Sequence, residues 1–149
     1  MGKLVCISGG FDPIHVGHVR LIQEAATYGT LWVILNNDHW LIAKKGFVFM
    51  PQDERKEILE AISGVDGVQI SFHEPPCYDM SICEELDYMC PDIFCNGGDR
   101  FEDNIPEYKI CQDLGVEMVF NVGGGKVQSS SKLVEKAKGN VRTIIKCKE

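Results

Sequence analysis

Ten consecutive residues, Gly9, Gly10, Phe11, Asp12, Pro13, Ile14, His15, Val16, Gly17 and His18, constrain this chain more than any other stretch. Residues 4–8 ahead of them read Leu-Val-Cys-Ile-Ser, a short apolar run with the length of a buried strand. Residues 16–28 behind them carry apolar positions at Val19, Leu21, Ile22, Ala25 and Ala26, the spacing of a helix packed on one face. A glycine turn and two imidazoles in HxxH spacing thus fall where a strand ends and a helix begins. Open backbone N–H groups and the positive end of the helix dipole make such a junction a natural place for phosphate. Taken singly, the glycines turn the chain and the histidines cap a helix. The whole string gives each part a use in handling phosphate.

The same alternation continues down the chain. Strands are predicted at 3–8, 31–36, 67–72, 92–96 and 116–121, and helices at 16–28, 51–63, 79–89, 104–114 and 130–138. This pattern predicts an α/β fold, a single Rossmann-like doubly wound parallel sheet of five strands with helices on both faces. Pro51 in the first turn, then Asp53 and Glu54 near the dipole's positive end, mark the start of the second helix. The longest irregular stretch, 37–50, holds Trp40, Lys44, Lys45 and Gly46 and reads as a binding loop or lid. In an open sheet of this kind, ligands sit at the carboxyl ends of the strands, near the point where strand order reverses.

With 149 residues, one domain spanning 1–149 is expected, with a basic tail from about residue 139. The net charge of −7 argues against nucleic acid as a partner, while a small anionic substrate needs only a local basic pocket. No apolar run has the length of a bilayer span, and Met1-Gly2-Lys3 leads straight into the first strand. Neither a membrane partner nor a signal peptide is expected. The seven cysteines form no CxxC pair, which fits a reduced, cytoplasmic setting. Cys77, Cys83, Cys90 and Cys95 have the wrong spacing for common zinc knuckles, so no protein metal site is expected.

Three further segments bear chemistry. Lys44-Lys45 is the only adjacent lysine pair in the first half of the chain and lies between the second strand and helix. Asn96-Gly97-Gly98-Asp99-Arg100 follows the fourth strand at the binding edge, where glycine lets backbone approach a ligand. Asp99 is suited to accept from a ribose or base and Arg100 to meet a phosphate; a glycine turn capped by aspartate is the other reading. Gly123-Gly124-Gly125-Lys126 leads into Ser129, Ser130 and Ser131 at a helix start, offering N–H and hydroxyl donors to phosphate. His15 and His18 can act as neutral donors or as cations. A metal pair is their rival role, but it lacks a third ligand nearby.

The amino-terminal string resembles the GxFDxxHxGH signature of the cytidylyltransferase-like nucleotidyltransferases, nearest to heptose-phosphate adenylyltransferases and glycerol-3-phosphate cytidylyltransferases. The segment Pro51 to Ile62 resembles that family's xxERxxxLxA helix, and Asn96-Gly97-Gly98-Asp99 is similar to the KGGD element of the heptose-phosphate enzymes. The serine segment is similar to the stretch that closes over triphosphate in relatives. Three departures stand out. Gly10 replaces the Thr or Cys common before Phe-Asp. Ser63 replaces an arginine of the glycerol enzymes, and the arginine that leads the serine segment is missing, leaving Lys126 to supply charge.

The resemblance implies strand order 3-2-1-4-5 and transfer of a nucleotidyl group from CTP or ATP to a small phosphorylated acceptor, with pyrophosphate leaving. It implies His15, His18 and Lys44 or Lys45 in catalysis. Nucleotide contacts carry over to Gly9, Gly10, Phe11, Gly98, Asp99, Lys126, Ser129, Ser130 and Ser131. Asp12, Lys44, Arg55 and Arg100 are implied on the acceptor side, Arg55 orienting either the acceptor or its loop; a salt bridge to Glu24 or Glu60 is its other assignment. Magnesium is the implied cofactor, held mainly by the triphosphate. Relatives are commonly dimers, which leaves a homodimer open. The alternative class is a non-catalytic nucleotide-binding or sensing module that retains the pocket. A tRNA-linked synthetase fragment, sharing only HxGH, is opposed by the acidic balance.

Overall fold

The computed structural model describes residues 2–98, 105–125 and 128–138. The elements, in chain order, are β1 (Leu4–Gly9), α1 (Val16–Ala25), β2 (Thr30–Leu35), α2 (Asp38–Lys45), α3 (Gln52–Glu60), β3 (Gly67–Ile70), α4 (Cys83–Met89), β4 (Ile93–Cys95), α5 (Glu107–Leu114) and β5 (Glu117–Val119). A last helix, α6, covers 130–138. The five strands form one sheet in the order β3-β2-β1-β4-β5, all parallel. The expected strand order is the observed one.

Strand alternation decides which helix covers which face. Val5, Ile7, Leu31, Val33 and Leu35 point to one side and pack with Ile22 and Ala25 of α1 and Leu59 of α3. Cys6, Ile34 and Phe94 point to the other and pack with Leu86 of α4 and Cys111 of α5. These side chains are buried, and truncating a leucine at such a position typically costs about 2–5 kcal/mol. Among the described residues, no helix is long and apolar enough to cross a membrane.

The stretch 37–50 departs from expectation, for it contains α2 rather than an irregular loop. Its signals are local. The Asn37 side chain caps the helix by accepting from Trp40 N–H at 3.0 Å, and Asp38 sits in the first turn. Gly46 ends it in the left-handed region at φ 85°, its N–H donating to the Ile42 carbonyl at 2.9 Å. Pro51 proves to be the cap of α3 rather than its first turn. The helix expected from 79 begins only at Cys83, because Asp79 accepts from both the N–H and the hydroxyl of Ser81 (2.9 and 2.6 Å). That side-chain turn displaces the first helical turn.

Candidate active site

At the carboxyl edge of the sheet lies a cleft of about 370 Å³, within the size range of small-molecule sites. The ends of β1, β2 and β4 form its floor through Ser8, Gly9, Asn36 and Asn96. The first turns of α1 supply one wall, with His15, Gly17 and His18. Gly123, Gly124 and Gly125, followed by Ser129, Ser130 and Ser131, supply the wall opposite in sequence.

The imidazoles both cap the helix and line the cleft. His15 is the N-cap of α1, and Gly17 N–H donates to its Nδ1 at 3.1 Å. His15 N–H in turn donates to His18 Nδ1, also at 3.1 Å. This is a capping box built from two imidazoles instead of a hydroxyl and a carboxylate. With Nδ1 accepting in each ring, the proton of a neutral imidazole lies on Nε2, which is then a donor. The rings stack with centroids 3.8 Å apart, and Phe11 meets His18 edge-on at 4.7 Å. Burial, then the neighbouring His15 and Lys45, pushes His18 down to about 3. It is a neutral donor at physiological pH.

The lysine pair divides. Lys45 lines the cleft, whereas Lys44 is exposed. Burial lowers the Lys45 ammonium below its ordinary range; Asp12 opposes this, and Arg55 and Lys44 reinforce it.

Asp12 and Arg55 lie beneath the site rather than in its lining. Asp12 is buried and accepts from Phe49 N–H at 2.7 Å and Met50 N–H at 2.6 Å. Arg55 is 0% exposed. Its Nε donates to Met50 O (2.8 Å), its Nη1 to Gly10 O (2.8 Å) and Asn36 O (2.7 Å), and its Nη2 to Asp38 Oδ1 (2.6 Å). It therefore orients the loops around the cleft, and its ion pair is with Asp38, not Glu24 or Glu60. Gly10 and Phe11 also belong to this supporting layer, Phe11 as a core residue at φ 51°.

The serine segment reaches the first turn directly. Ser130 Oγ donates to Pro13 O at 2.7 Å. Gly123, at φ 86°, donates its N–H to Glu24 Oε2 at 3.0 Å, and a Cβ there would stand 2.8 Å from Leu21 N. Only glycine brings this loop so close to α1. Gly98 lines the cleft, whereas Asp99, Arg100 and Lys126 fall outside the described residues.

Among the polar lining residues, Asn36 and Glu107 were not marked by the sequence, whereas Trp40 and Asn96 were marked only as members of the 37–50 loop and of the glycine segment after the fourth strand. Asn36 and Asn96 continue the strand parity of Ile34 and Phe94, so a polar residue one step past each buried strand was the available signal. Nothing in the local pattern marks Glu107.

Comparison with known proteins agrees with this geometry. The cytidylyltransferase-like family model matches residues 6–114. Relatives include the bifunctional protein HldE of Geotalea uraniireducens, 33% identical over 90% of this chain, and HldE of Syntrophotalea carbinolica, 32% identical over 91%. The chain spans only about a quarter of their length, 26% and 27% respectively. A lipopolysaccharide core biosynthesis protein from Thermoplasma volcanium shares the fold, with a TM-score of 0.65 at 20% identity over 79% of this chain and 94% of that one. On the strength of the family match and these relatives, the chain belongs to the cytidylyltransferase-like nucleotidyltransferases.

Proposed function

We propose that this chain transfers a nucleotidyl group from CTP or ATP, taken as its magnesium complex, to a small sugar, polyol or alcohol phosphate, releasing pyrophosphate. The supporting observation is that the imidazole corner of α1 and the serine corner at the start of α6 line one cleft, although 117 residues separate Ser130 from its partner Pro13. In this reading an oxygen of the acceptor phosphate attacks the α-phosphorus, and the bond from that phosphorus to the bridging oxygen breaks. Nε2–H donors on His15 and His18 meet the charge that gathers on the α-phosphoryl oxygens. Lys45, rather than Lys44, balances charge from the α2 side. Ser129, Ser130 and Ser131 hold the β- and γ-phosphates. Lys126 adds charge there, Asp99 meets the nucleoside and Arg100 the acceptor, as the resemblance implies. Among the described residues no group of three His, Cys, Asp or Glu side chains is arranged to hold a metal. In this reading magnesium enters with the triphosphate, held mainly by its oxygens, as the resemblance implies.

The resemblance of Asn96-Gly97-Gly98-Asp99 to the heptose-phosphate adenylyltransferases makes ATP and a sugar phosphate of the heptose type the first pair to try. Pyrophosphate release is measured for CTP, ATP, GTP and UTP against a panel of acceptor phosphates. Release dependent on both substrates is expected for one nucleotide. A nucleotide that raises the melting temperature yet yields no pyrophosphate with any acceptor would favour the sensing module instead.

A further inference from the structure

The cleft has a second half that phosphate chemistry does not use. Ser8, Asn36 and Asn96 extend the strand positions Cys6, Ile34 and Phe94, so they belong to the sheet face covered by α4 and α5. His15 and His18 come from α1, which packs on the opposite face. On the α4–α5 side, Asn96 and Glu107 are each 3% exposed and Asn36 is 5% exposed. Among the described residues, Asn96 Oδ1 and Nδ2, Asn36 Oδ1 and Glu107 Oε2 have no hydrogen-bond partner. Glu107 is held in place by its other oxygen, Oε1, which accepts from Ile82 N–H at 3.2 Å. Trp40 lines the same space, and its Nε1–H is taken by Met80 O at 2.9 Å, so the indole offers ring surface and no donor.

Buried polar atoms are normally paired, and a set left without partners around one cleft calls for a ligand that pairs them. We infer that this half is the acceptor subsite and that it reads the hydroxyl groups of a polyhydroxylated phosphate, with Glu107 as the specificity residue. The inference rests on the nucleotidyl-transfer reading and names the acceptor class within it. An alkyl ammonium would satisfy the carboxyl and carbonyl oxygens but leave both Asn96 Nδ2 hydrogens idle. A hydroxyl both donates and accepts, so vicinal hydroxyls can engage Glu107 Oε2 and both ends of the Asn96 amide. The indole face of Trp40 suits the apolar side of a sugar ring. A site built to pair hydroxyls rejects an analogue lacking them far more strongly than a site built on apolar contact.

The test combines direct titration with turnover, using mannose 1-phosphate, glycerol 3-phosphate, phosphoethanolamine and propyl phosphate as probes. In wild type, a hydroxylated probe should bind by calorimetry and exceed both propyl phosphate and phosphoethanolamine in kcat/KM by about a hundredfold. Glu107→Gln keeps an oxygen for Ile82 N–H. It should raise KM for the hydroxylated probe at least tenfold, with KM for the nucleotide within twofold and propyl phosphate unaffected. A preference for phosphoethanolamine, or a Glu107→Gln enzyme with undiminished discrimination, would overturn the inference. Glu107-dependent binding of a hydroxylated probe, with no pyrophosphate from any pair, would retain the subsite and remove the transfer reading.

Discussion

The Ser130 hydroxyl donates to the Pro13 carbonyl at 2.7 Å, tying the start of α6 to the turn that sets His15. This contact joins the two corners on which the proposed chemistry depends. Ser130→Ala leaves the half-buried carbonyl without that donor and should cost about 0.5–1.5 kcal/mol in stability. The effect on function should be larger than on fold: KM for the nucleotide is expected to rise at least fivefold while the melting temperature falls only a few degrees. Steady-state kinetics beside a thermal melt separates the two.

His18 gives a pH signature in the ligand-free protein. Its folded value lies near 3, against an ordinary 6.5, so between those limits the unfolded chain binds a proton that the folded chain refuses. Stability from this group is present above about pH 6.5 and is lost as pH falls toward 3, at a limiting slope of about 1.4 kcal/mol per pH unit. His18→Gln removes the titrating ring. The stability of wild type relative to the variant, from urea unfolding, should therefore decline as pH drops from 7 to 5. A flat difference would mean that the ring is protonated in the native state. The same variant should lose about a hundredfold in transfer rate at pH 7.5.

How much could be read without coordinates depended on whether a residue's role was set locally. The strand at 4–9 and the helix after it follow from periodicity, and the junction between them carried its own signature. The helix at 38–45 was equally local, with Asn37, Asp38 and Gly46 as start and stop signals, but its short polar sequence carries little periodicity. Arg55 could not be placed, since a surface salt bridge and a buried guanidinium have the same sequence pattern. Its partners at Gly10, Asn36 and Asp38 meet only after β1, β2 and α3 have packed. Glu107 is the extreme case. A glutamate in a first helical turn is ordinary, and only the placement of Ile82 and Asn96 around the same cleft gives it a role.

The cysteines supply a labelling test of the packing. Burial pushes the Cys6 and Cys95 thiols up to about 12 and Cys111 to about 11, whereas Cys90 is exposed. Only the thiolate reacts, so the first three should be inert in the native protein at pH 8. Brief iodoacetamide treatment followed by peptide mapping should find Cys90 modified and Cys6 and Cys111 unmodified until denaturant is added. Native labelling of Cys6 would contradict the α4–α5 core.

Arg55 tests whether the binding edge needs its buried cation. Its four hydrogen bonds gather Gly10 from the β1 turn, Asn36 from the end of β2, Asp38 from α2 and Met50 from the loop before α3. Removing one partner of a buried ion pair typically costs about 3–5 kcal/mol, because the remaining groups stay desolvated. Asp38 is one-third exposed at its side chain, so water recovers part of that loss and the lower end applies to Arg55→Met. Arg55→Lys preserves the charge but cannot fork among three carbonyls and a carboxylate, so it should still be destabilised by about 2 kcal/mol in urea unfolding. Both variants that remain folded should lose affinity for the acceptor as well as stability, since Lys45 and the Asn36 floor hang from the same guanidinium. A fully stable Arg55→Lys protein with normal kinetics would show that the loops around the cleft are held by packing alone.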